Sequence, residues 1–393
     1  MRADFNVPLK DGKITSNQRI LATLPTIEYV RSKNPKCIIL MSHLGRPDGF
    51  VNPKYSLSVV AEELAHLLKS PVKFVTDCVG DSVETEIRNC SAGDIYLLEN
   101  LRFHPEEEGS SVVDGKKVKA DPVAVKAFRH SLTSLGDVYV NDAFGTVHRA
   151  HSSIVGIDLP RVSGLLVKKE LEYFSKALEG PKISMAILGG AKVSDKIQLI
   201  ENMLSKVEML FIGGGMAFTF LKVMGMSIGK SLFDQPGAEL VLDIMAKAKQ
   251  QNVQIILPLD FITADKFASD AKVGYATAKE GIPDEYMGLD IGPETCQLFK
   301  EKIKTCSLVL WNGPMGVFEY DSFSKGTKCV LDELVTLTEN GAVTIVGGGD
   351  SATAVAKWDC ESKLSHVSTG GGASLELLEG KELPGISSLT DKE

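Results

Sequence analysis

Short apolar runs alternate with amphipathic stretches up to about residue 160 of the chain. Three of these runs have the length of buried strands: CIILMS (37–42), IYLLEN (95–100) and DVYVND (137–142). Between the first two, SLSVVAEELAHLLK (56–69) carries the periodicity of a helix. The order strand, helix, strand predicts a parallel sheet with helices on its faces.

The same alternation recurs from about residue 182, where the loops that follow the apolar runs are rich in glycine. A strand, a tight loop and a helix are predicted in SMAILGGAKVSDK (184–196), EMLFIGGGMAF (208–218), LVLWNGPMGVF (308–318) and AVTIVGGGDSATAVAKW (342–358), and STGGGASLELL (368–378) repeats the loop and the helix. Glycine lets backbone amides approach a phosphate, and a helix N-terminus adds a positive dipole. Although glycine turns occur in any α/β protein, several at one sheet edge predict a phosphate-binding face of the nucleotide type.

A chain of 393 residues is long for one hydrophobic core, which favours two domains. We therefore predict an α/β protein with two doubly wound parallel-sheet (Rossmann-like) domains. The stretch VKKELEYFSKALE (167–179) joins the two halves and predicts a hinge helix. The predicted boundaries are 1–166 for the first domain and 180–378 for the second.

Composition and charge exclude several classes of protein. Apolar residues make up 44% and charged residues 24% of the chain, and no apolar stretch approaches the ~18 residues that span a bilayer. The net charge of −8 is spread without long blocks, so neither a nucleic-acid nor a membrane partner is expected. The seven cysteines lie scattered without a CxxC pair, which argues against disulfides or a structural zinc site. We expect a cytoplasmic protein, since neither end of the chain resembles a targeting signal.

The two halves differ in the basic residues that they use. All nine arginines precede residue 162, and the remaining 232 residues contain lysine but no arginine. Basic side chains follow each predicted strand of the first half: His43 and Arg46, then Arg102, then His148 and Arg149. Ligands of open α/β sheets bind at the carboxyl ends of the strands, and the planar guanidinium suits carboxylate and phosphate. These positions predict a site for a small, multiply charged anion, with scattered surface charge as the alternative.

Two segments of the second half resemble nucleotide motifs. GMSIGKS (225–231) has three residues between its glycines where a P-loop has four, so it predicts an ordinary turn. GGGDSA (347–352) matches the dinucleotide pattern, but HVSTGGG (366–372) lacks the acidic residue that should bind the ribose. Asp350 would repel a bare pyrophosphate and is better explained as a ligand of Mg²⁺ on the phosphates. A nicotinamide dehydrogenase is therefore a disfavoured alternative.

An anion site in one half and a nucleotide site in the other predict phosphoryl transfer between two ligands. That reaction requires positioning, charge neutralisation and exclusion of water, so we expect the domains to close. No nucleophile–base pair is apparent, which favours direct in-line transfer over a phosphoenzyme. The spacing of His148 and His151 would also suit two ligands of one metal ion. Anion contact or core packing is favoured instead, because Arg149 lies beside them and no further metal ligand is apparent.

Eight segments of the chain carry a more specific signal: RADFNVP (2–8), SHLGRP (42–47), ENLRFHPEEEG (99–109), NDAFGTVHRAHSS (141–153), ILGGAKVSDKI (187–197), WNGPMGVFE (311–319), GGGDSAT (347–353) and STGGGASLELLEG (368–380). In this order they closely resemble the phosphoglycerate kinase family. The resemblance implies reversible phosphoryl transfer from 1,3-bisphosphoglycerate to ADP, giving 3-phosphoglycerate and ATP, in glycolysis and gluconeogenesis. It further implies a hinge-bending monomer that uses nucleotides with Mg²⁺, and a segment 379–393 that returns to the first domain.

The resemblance also implies roles for individual residues. Around 3-phosphoglycerate it implies Asp4, Asn6, Arg19, His43, Arg46, Arg102, His148 and Arg149. Arg19 and Lys196 would be the catalytic residues that contact the moving phosphoryl group. Nucleotide contacts are implied for Lys196 and for Gly189, Gly190, Lys192, Gly213, Gly214, Leu289, Asn312, Val317, Glu319, Gly349, Asp350, Ser351, Gly370, Gly371 and Gly372. Asp350 would be the ligand of Mg²⁺.

The family pattern extends about 20 residues before RADFNVP and includes most of a core strand there. A chain without these residues is expected to expose strand edges and to bury less apolar area. The alternative function is therefore a truncated, inactive or binding-only form of the same family.

Overall fold

The structure is a computed structural model and describes residues 1–390 of the chain. These residues form two compact units: the first contains Met1–Leu171 and the chain from Glu382, and the second contains Glu172–Lys381. The chain passes from one unit to the other within the helix Leu165–Leu178, where the sequence predicts a helix over 167–179. Residues 391–393 of the predicted segment 379–393 lie outside the described residues.

The first unit is built on parallel strands. Its two main sheets have the strand orders Arg2–Ala3, Tyr139–Asp142, Arg161–Ser163 and Cys37–Leu40, Asp94–Leu98, Lys73–Val75. Ala3 N donates to Met41 O, and Met41 N donates to Met1 O, each over 3.0 Å. Since Arg2–Ala3 also pairs with Asn141 and Asp142, this short strand joins the two sheets into one parallel array.

Helices pack on this array through apolar faces. The helix Ser58–Leu68, for example, buries Val60, Leu64 and Leu68 at helical spacing, as its sequence pattern predicts. The α-helices of the first unit, besides the one that leaves it, are Gln18–Arg31, Ser58–Leu68, Asp81–Arg88, Pro105–Glu108, Pro122–Ser134, Ser152–Val155 and Pro384–Ser387. Two antiparallel hairpins pair Leu9–Lys10 with Lys13–Ile14 and Ser110–Val113 with Lys116–Lys119.

The second unit contains a six-stranded parallel sheet. The strands lie in the order Gln254–Ile256, Val207–Ile212, Ile183–Leu188, Leu308–Asn312, Val343–Gly347 and His366–Val367. Numbered along the chain, this order is 3-2-1-4-5-6, which is typical of doubly wound dinucleotide-binding folds. The order reverses between Ile183–Leu188 and Leu308–Asn312, the point at which such sheets bind their ligands.

Helices also cover this second sheet. They are Ile197–Leu204, Met216–Val223, Gln235–Gln250, Pro293–Ile303, Lys325–Glu339, Gly349–Lys357 and Gly371–Leu378. The fully buried Trp311 and Phe299 belong to the core beneath the sheet, together with Val330 and Leu331 from Lys325–Glu339. The predicted fold class, two Rossmann-like α/β domains with parallel sheets, is confirmed.

Two features of the second unit differ from the sequence prediction. An antiparallel sheet of Val273–Thr277, Asp260–Ala264 and Met287–Ile291 was not predicted. The helix predicted directly after LVLWN begins only at Lys325, following a long loop and a 3₁₀ turn. Gly313 has a φ of 105° and Pro314 disfavours helical geometry before it, so the chain turns without starting a helix there.

The C-terminal segment packs on the first unit. Gly385 N donates to Val147 O over 2.8 Å, and Thr390 N donates to Arg161 O over 2.9 Å. A Cβ on Gly385 would lie 2.8 Å from Val147 Cα, so a glycine permits this close approach. Within residues 1–390, none of the helices combines the length and the apolar character needed to span a bilayer.

Candidate active site

A buried arginine organises the strand edge of the first unit. Arg2 is fully buried, and its Nε donates to Ser153 Oγ over 2.9 Å. Its terminal nitrogen lies 3.1 Å from Nδ1 of His43 and 4.0 Å from a carboxylate oxygen of the equally buried Glu107. Glu107 in turn accepts from the backbone and the hydroxyl of Ser153. Because a buried charge needs such partners, this network fixes the orientation of His43.

Asp4 and Arg19 form an ion pair next to this network. The carboxylate of Asp4 is almost fully buried, whereas the side chain of Arg19 is 34% exposed. Gly145 lies against the pair, and a Cβ at this position would stand 2.1 Å from Asp4 Oδ2. The glycine in the sequence NDAFG is therefore required for Asp4 to reach Arg19, and it leaves one side of the guanidinium open for an anion.

Arg102 is held by the turn that contains Gly45. Its guanidinium donates to Gly45 O over 3.0 Å, while Gly45 N donates to Oδ1 of Asn6 over 2.8 Å. Gly45 has a φ of 64°, and a Cβ there would collide with the ring of Tyr55. The fully buried Asn100 fixes the same region by accepting from Arg102 N. This single glycine turn therefore brings Asn6 and Arg102 together.

Two of the histidines near these arginines, His43 and His151, have lowered pKa values. Burial and the neighbouring Arg102, Arg2 and Arg19 hold the pKa of His43 well below its usual range. Burial and Arg102 likewise lower the pKa of His151 to about 3. The positive charge available to an anion therefore comes from guanidinium groups, while His43 acts as a neutral hydrogen-bonding group. We refer to Asp4, Asn6, Arg19, His43 and Arg102 as the anion site.

The other predicted residues of the first unit are more exposed. Arg46 and Arg149 are exposed, and His148 is half-buried. Among the described residues 1–390, neither arginine lies within 4 Å of a carboxylate. Their guanidinium groups are thus exposed and not paired with a carboxylate of the described chain. The metal pair of His148 and His151, the disfavoured alternative, gains no third metal-ligating residue in the part of the chain that the structure describes.

The glycine loops of the second unit contact one another at one edge of its sheet. A Cβ on Gly189 would meet Pro314 O at 2.0 Å, and a Cβ on Gly214 would meet Gly190 N at 2.7 Å. Likewise, a Cβ on Gly371 would lie 2.9 Å from Gly349 N. We call this surface the glycine face; it comprises 189–190, 213–214, 312–313, 348–350 and 370–372. These close backbone approaches leave no room for a side chain at Gly189, Gly214 or Gly371.

Lys196 lies against the glycine face, and its Nζ donates to Oδ1 of Asn312. Burial lowers the pKa of Lys196 to about 8, although the nearby Asp350 and Glu379 raise it. Asn312 is 2% exposed, and its Nδ2 has no hydrogen-bond partner within residues 1–390. A Cβ on Gly348 would lie 2.9 Å from that nitrogen. This buried donor is therefore available to an oxygen atom of a ligand or of a water molecule.

Asp350 and Ser351 open the helix Gly349–Lys357 at this face. Asp350 is exposed, whereas Ser351 is fully buried and its Oγ accepts from Gly313 N over 2.6 Å. The hydroxyl of Ser351 thus ties the helix to the loop after Leu308–Asn312. Gly370 is buried, Gly371 half-buried and Gly372 exposed at the start of the helix Gly371–Leu378. The N-termini of these two helices lie next to each other, since a Cβ on Gly371 would lie 2.9 Å from Gly349 N.

The remaining predicted nucleotide residues flank this face. Val317 N donates to Leu289 O over 2.9 Å, and both side chains belong to a small apolar cluster with the buried Phe323. Glu319 and Lys192 are exposed. The half-buried Val317 and the buried Leu289 are thus tied together by a backbone hydrogen bond and by apolar contact.

Sequence reasoning missed the residues that support these contacts. Arg2 and Gly145 support the anion site, and Asp290 supports the loop that carries Val317. Asp290 is 2% exposed, and its Oδ2 accepts from Gly326 N over 2.7 Å. A Cβ on Gly316 would lie 2.3 Å from its Oδ1, and burial raises its pKa to about 8. An acidic residue inside the apolar strand MGLDI was the available signal.

Comparisons with known proteins agree with this geometry. Residues 1–381 match the family model described as phosphoglycerate kinase. Phosphoglycerate kinase of Schizosaccharomyces pombe is 64% identical over 394 residues, which cover 100% of this chain and 95% of the relative. Phosphoglycerate kinase of Candida albicans is 60% identical over 396 residues with the same coverage.

Solved structures give the same result. The structure of phosphoglycerate kinase from Coxiella burnetii superposes with a TM-score of 0.83 at 37% identity and covers 98% of this chain and 94% of that one. The crystal structure of phosphoglycerate kinase from Pyrococcus horikoshii has a TM-score of 0.78 at 29% identity, with coverage of 99% and 94%.

Proposed function

This chain belongs to the phosphoglycerate kinase family, and we propose how its own residues divide the work of the reaction. The reaction is reversible phosphoryl transfer between 1,3-bisphosphoglycerate and ADP, giving 3-phosphoglycerate and ATP, and it belongs to glycolysis. The alternative of an inactive or binding-only form is not favoured, because curated phosphoglycerate kinases match this chain over its full length.

The anion site of the first unit is proposed to bind 3-phosphoglycerate. This ligand carries a carboxylate and a phosphate, and the site combines Arg19, Arg102 and the neutral His43 with the exposed Arg46 and Arg149. Guanidinium groups bind both kinds of oxyanion bidentately. Arg19 is partly exposed and is oriented by Asp4. Both features support its assignment to the oxygens of the moving phosphoryl group.

The glycine face of the second unit is proposed to bind ADP and ATP. The observation that carries this half is the buried Nδ2 of Asn312, which lacks a partner and faces Gly348 beside Lys196. Amides of the loops and helix N-termini at Gly349 and Gly371 would bind the phosphates, since backbone N–H groups there point outwards with a positive dipole. Leu289 and Val317 would contact the adenine.

Magnesium is proposed as the ion that accompanies the nucleotide. Mg²⁺ prefers one or two carboxylates together with phosphate oxygens and water, and the exposed Asp350 at the glycine face fits that ligand set. When bound, the ion neutralises charge on the phosphates. Asp350 would hold it, while Lys196 and Arg19 would neutralise the three equatorial oxygens of the transferring group.

In-line transfer requires the acceptor oxygen and the phosphoryl group to meet with water excluded. We therefore retain domain closure about the hinge helix as part of the proposal, with 1–166 as the substrate domain, 180–378 as the nucleotide domain and 379–393 as the returning segment. A cytoplasmic, monomeric enzyme with only small-molecule partners completes the proposed function.

Replacing Asp350 with asparagine is expected to weaken the binding of the magnesium complex of ADP about tenfold or more. Even a residue that only hydrogen-bonds to a metal ligand contributes about tenfold to metal affinity, and Asp350 is proposed as a direct ligand. Binding of 3-phosphoglycerate should stay unchanged, because Asp350 belongs to the other unit. Isothermal titration calorimetry with each ligand measures both effects. Asp359→Asn, an exposed position just beyond the far end of the same helix, is the matched control. A loss confined to 3-phosphoglycerate would contradict the assignment.

A further inference from the structure

Asp77, Cys78 and His104 form a cluster of metal-ligating side chains that the reaction does not use. A carboxylate oxygen, the sulfur and an imidazole nitrogen all lie within 4.8 Å of one another. Asp77 and Cys78 follow the strand Lys73–Val75, and His104 follows the 3₁₀ turn Leu101–Phe103. The cluster is therefore assembled by the fold from two separate segments, which explains why the spacing of cysteines along the sequence gave no sign of it.

The side chains of the cluster are already oriented. Nε2 of His104 lies 2.7 Å from Oδ1 of Asp77, and the same oxygen accepts from Cys78 N over 2.6 Å. The imidazole ring packs against Phe128 with the ring centroids 5.4 Å apart. Cys78 is fully buried, whereas the side chains of His104 and Asp77 are 28% and 48% exposed. An ion can therefore enter from the solvent side, where the carboxylate and the imidazole are exposed, and reach the buried sulfur behind them.

We propose that Asp77, Cys78 and His104 bind a single Zn²⁺ ion, with water as the fourth ligand. One sulfur, one nitrogen and one oxygen are donors that zinc accepts in tetrahedral geometry, whereas Mg²⁺ and Ca²⁺ require oxygen ligands. With zinc–ligand bonds of about 2.0–2.3 Å, tetrahedral ligand atoms lie about 3.5 Å apart, so the side chains need to move by about 1 Å.

Charge balance supports the same ion. A free cysteine thiol is mostly protonated near neutral pH, because its ordinary pKa is about 8.5. Zinc binding replaces that proton by a zinc–sulfur bond and releases it to solvent. One doubly charged cation with one thiolate and one carboxylate gives a group without net charge, which is compatible with the buried side of the site.

The experiment uses Co²⁺ as a spectroscopic probe on the full chain, with thiols kept reduced by a phosphine. Cobalt bound to a thiolate gives a charge-transfer absorption band in the near ultraviolet, and Zn²⁺ added afterwards should displace it. We expect one cobalt ion per chain and no charge-transfer band in Cys78→Ser. Zinc binding should be at least about tenfold weaker in His104→Gln, because losing a metal ligand should cost no less than losing a residue that hydrogen-bonds to a ligand. Cys306→Ser and His130→Gln, a buried thiol and an exposed imidazole outside the cluster, should bind like the parent chain.

Absence of the thiolate band in the parent chain would overturn the proposal, and so would a band that persists in Cys78→Ser. If Cys78→Ser does not fold, as judged by circular dichroism, the partly exposed His104→Gln decides. Unchanged zinc affinity in that variant would then rule the site out. Phosphoryl transfer is not needed for either readout, so this test is independent of the proposed function.

Discussion

Replacing Arg19 with alanine is expected to lower kcat by about 10³–10⁵-fold, the range that an arginine on a transferring phosphoryl group typically contributes. Affinity for 3-phosphoglycerate should fall much less, because Arg102 and the neutral His43 remain in the anion site. Steady-state kinetics of the ATP-consuming direction, with each substrate varied in turn, separates the two effects. A loss in kcat with a small change in KM is the signature of contacts made mainly in the transition state.

Two variants sharpen this test. Arg31→Ala removes an arginine from the end of the same helix, where the side chain of Arg31 pairs with Glu28 on the surface, and should keep the parent turnover. Arg19→Lys keeps the charge but loses the planar fork, so it should recover only part of the rate. Near-normal turnover in Arg19→Ala would refute the catalytic role of this residue.

Replacing Lys196 with methionine is expected to lower kcat by about 10²–10³-fold, the usual cost of removing one preorganised donor from a developing oxyanion. Methionine keeps much of the volume of the buried stem while removing the charge. Lys249→Met, on an exposed face of the same unit, is the control and should leave kcat unchanged. A Lys196→Met variant with the parent kcat would count against the assignment.

Because the pKa of Lys196 is lowered, we expect the rate of the reaction to depend on pH. Burial lowers the pKa of Lys196 to about 8, so the ammonium is present below that pH and is lost as the pH rises through it. The profile of kcat/KM for the magnesium complex of ATP reports groups of the free enzyme and should therefore fall above about pH 8. In Lys196→Arg this fall should disappear, because a guanidinium stays charged in that range. A descending limb that persists in Lys196→Arg would assign it to another group.

The sequence predicted most of the fold because its elements are locally encoded. Continuous apolar runs such as 183–188 become strands buried on both faces, and a helix follows where the next segment carries apolar residues at helical spacing, as in 58–68. The antiparallel sheet that includes Asp260–Ala264 was not predicted, since it pairs residues as far apart as Phe261 and Ile291. Such pairings are set by tertiary contacts rather than by local pattern.

The candidate site could be predicted only where its residues stand in recognisable motifs. Glycine loops and arginines after strands are visible in one sequence, and the structure brings the loops at 189–190, 213–214 and 348–350 into one face. The supporting roles of Arg2, Gly145 and Asp290 could not be assigned this way, although the acidic residue inside MGLDI is visible in the sequence. Each acts through a partner distant in sequence, as Arg2 does through Ser153 and Glu107, and only the folded chain shows that partner.

The most direct measurement of the central claim is a coupled assay of this 393-residue chain with 3-phosphoglycerate, ATP and magnesium, in which formation of 1,3-bisphosphoglycerate is detected through a following enzyme. We predict sustained turnover that requires all three components and is lost in Arg19→Ala. A chain that is folded and binds both substrates by calorimetry, yet gives no turnover, would contradict the claim that these two sites together transfer a phosphoryl group.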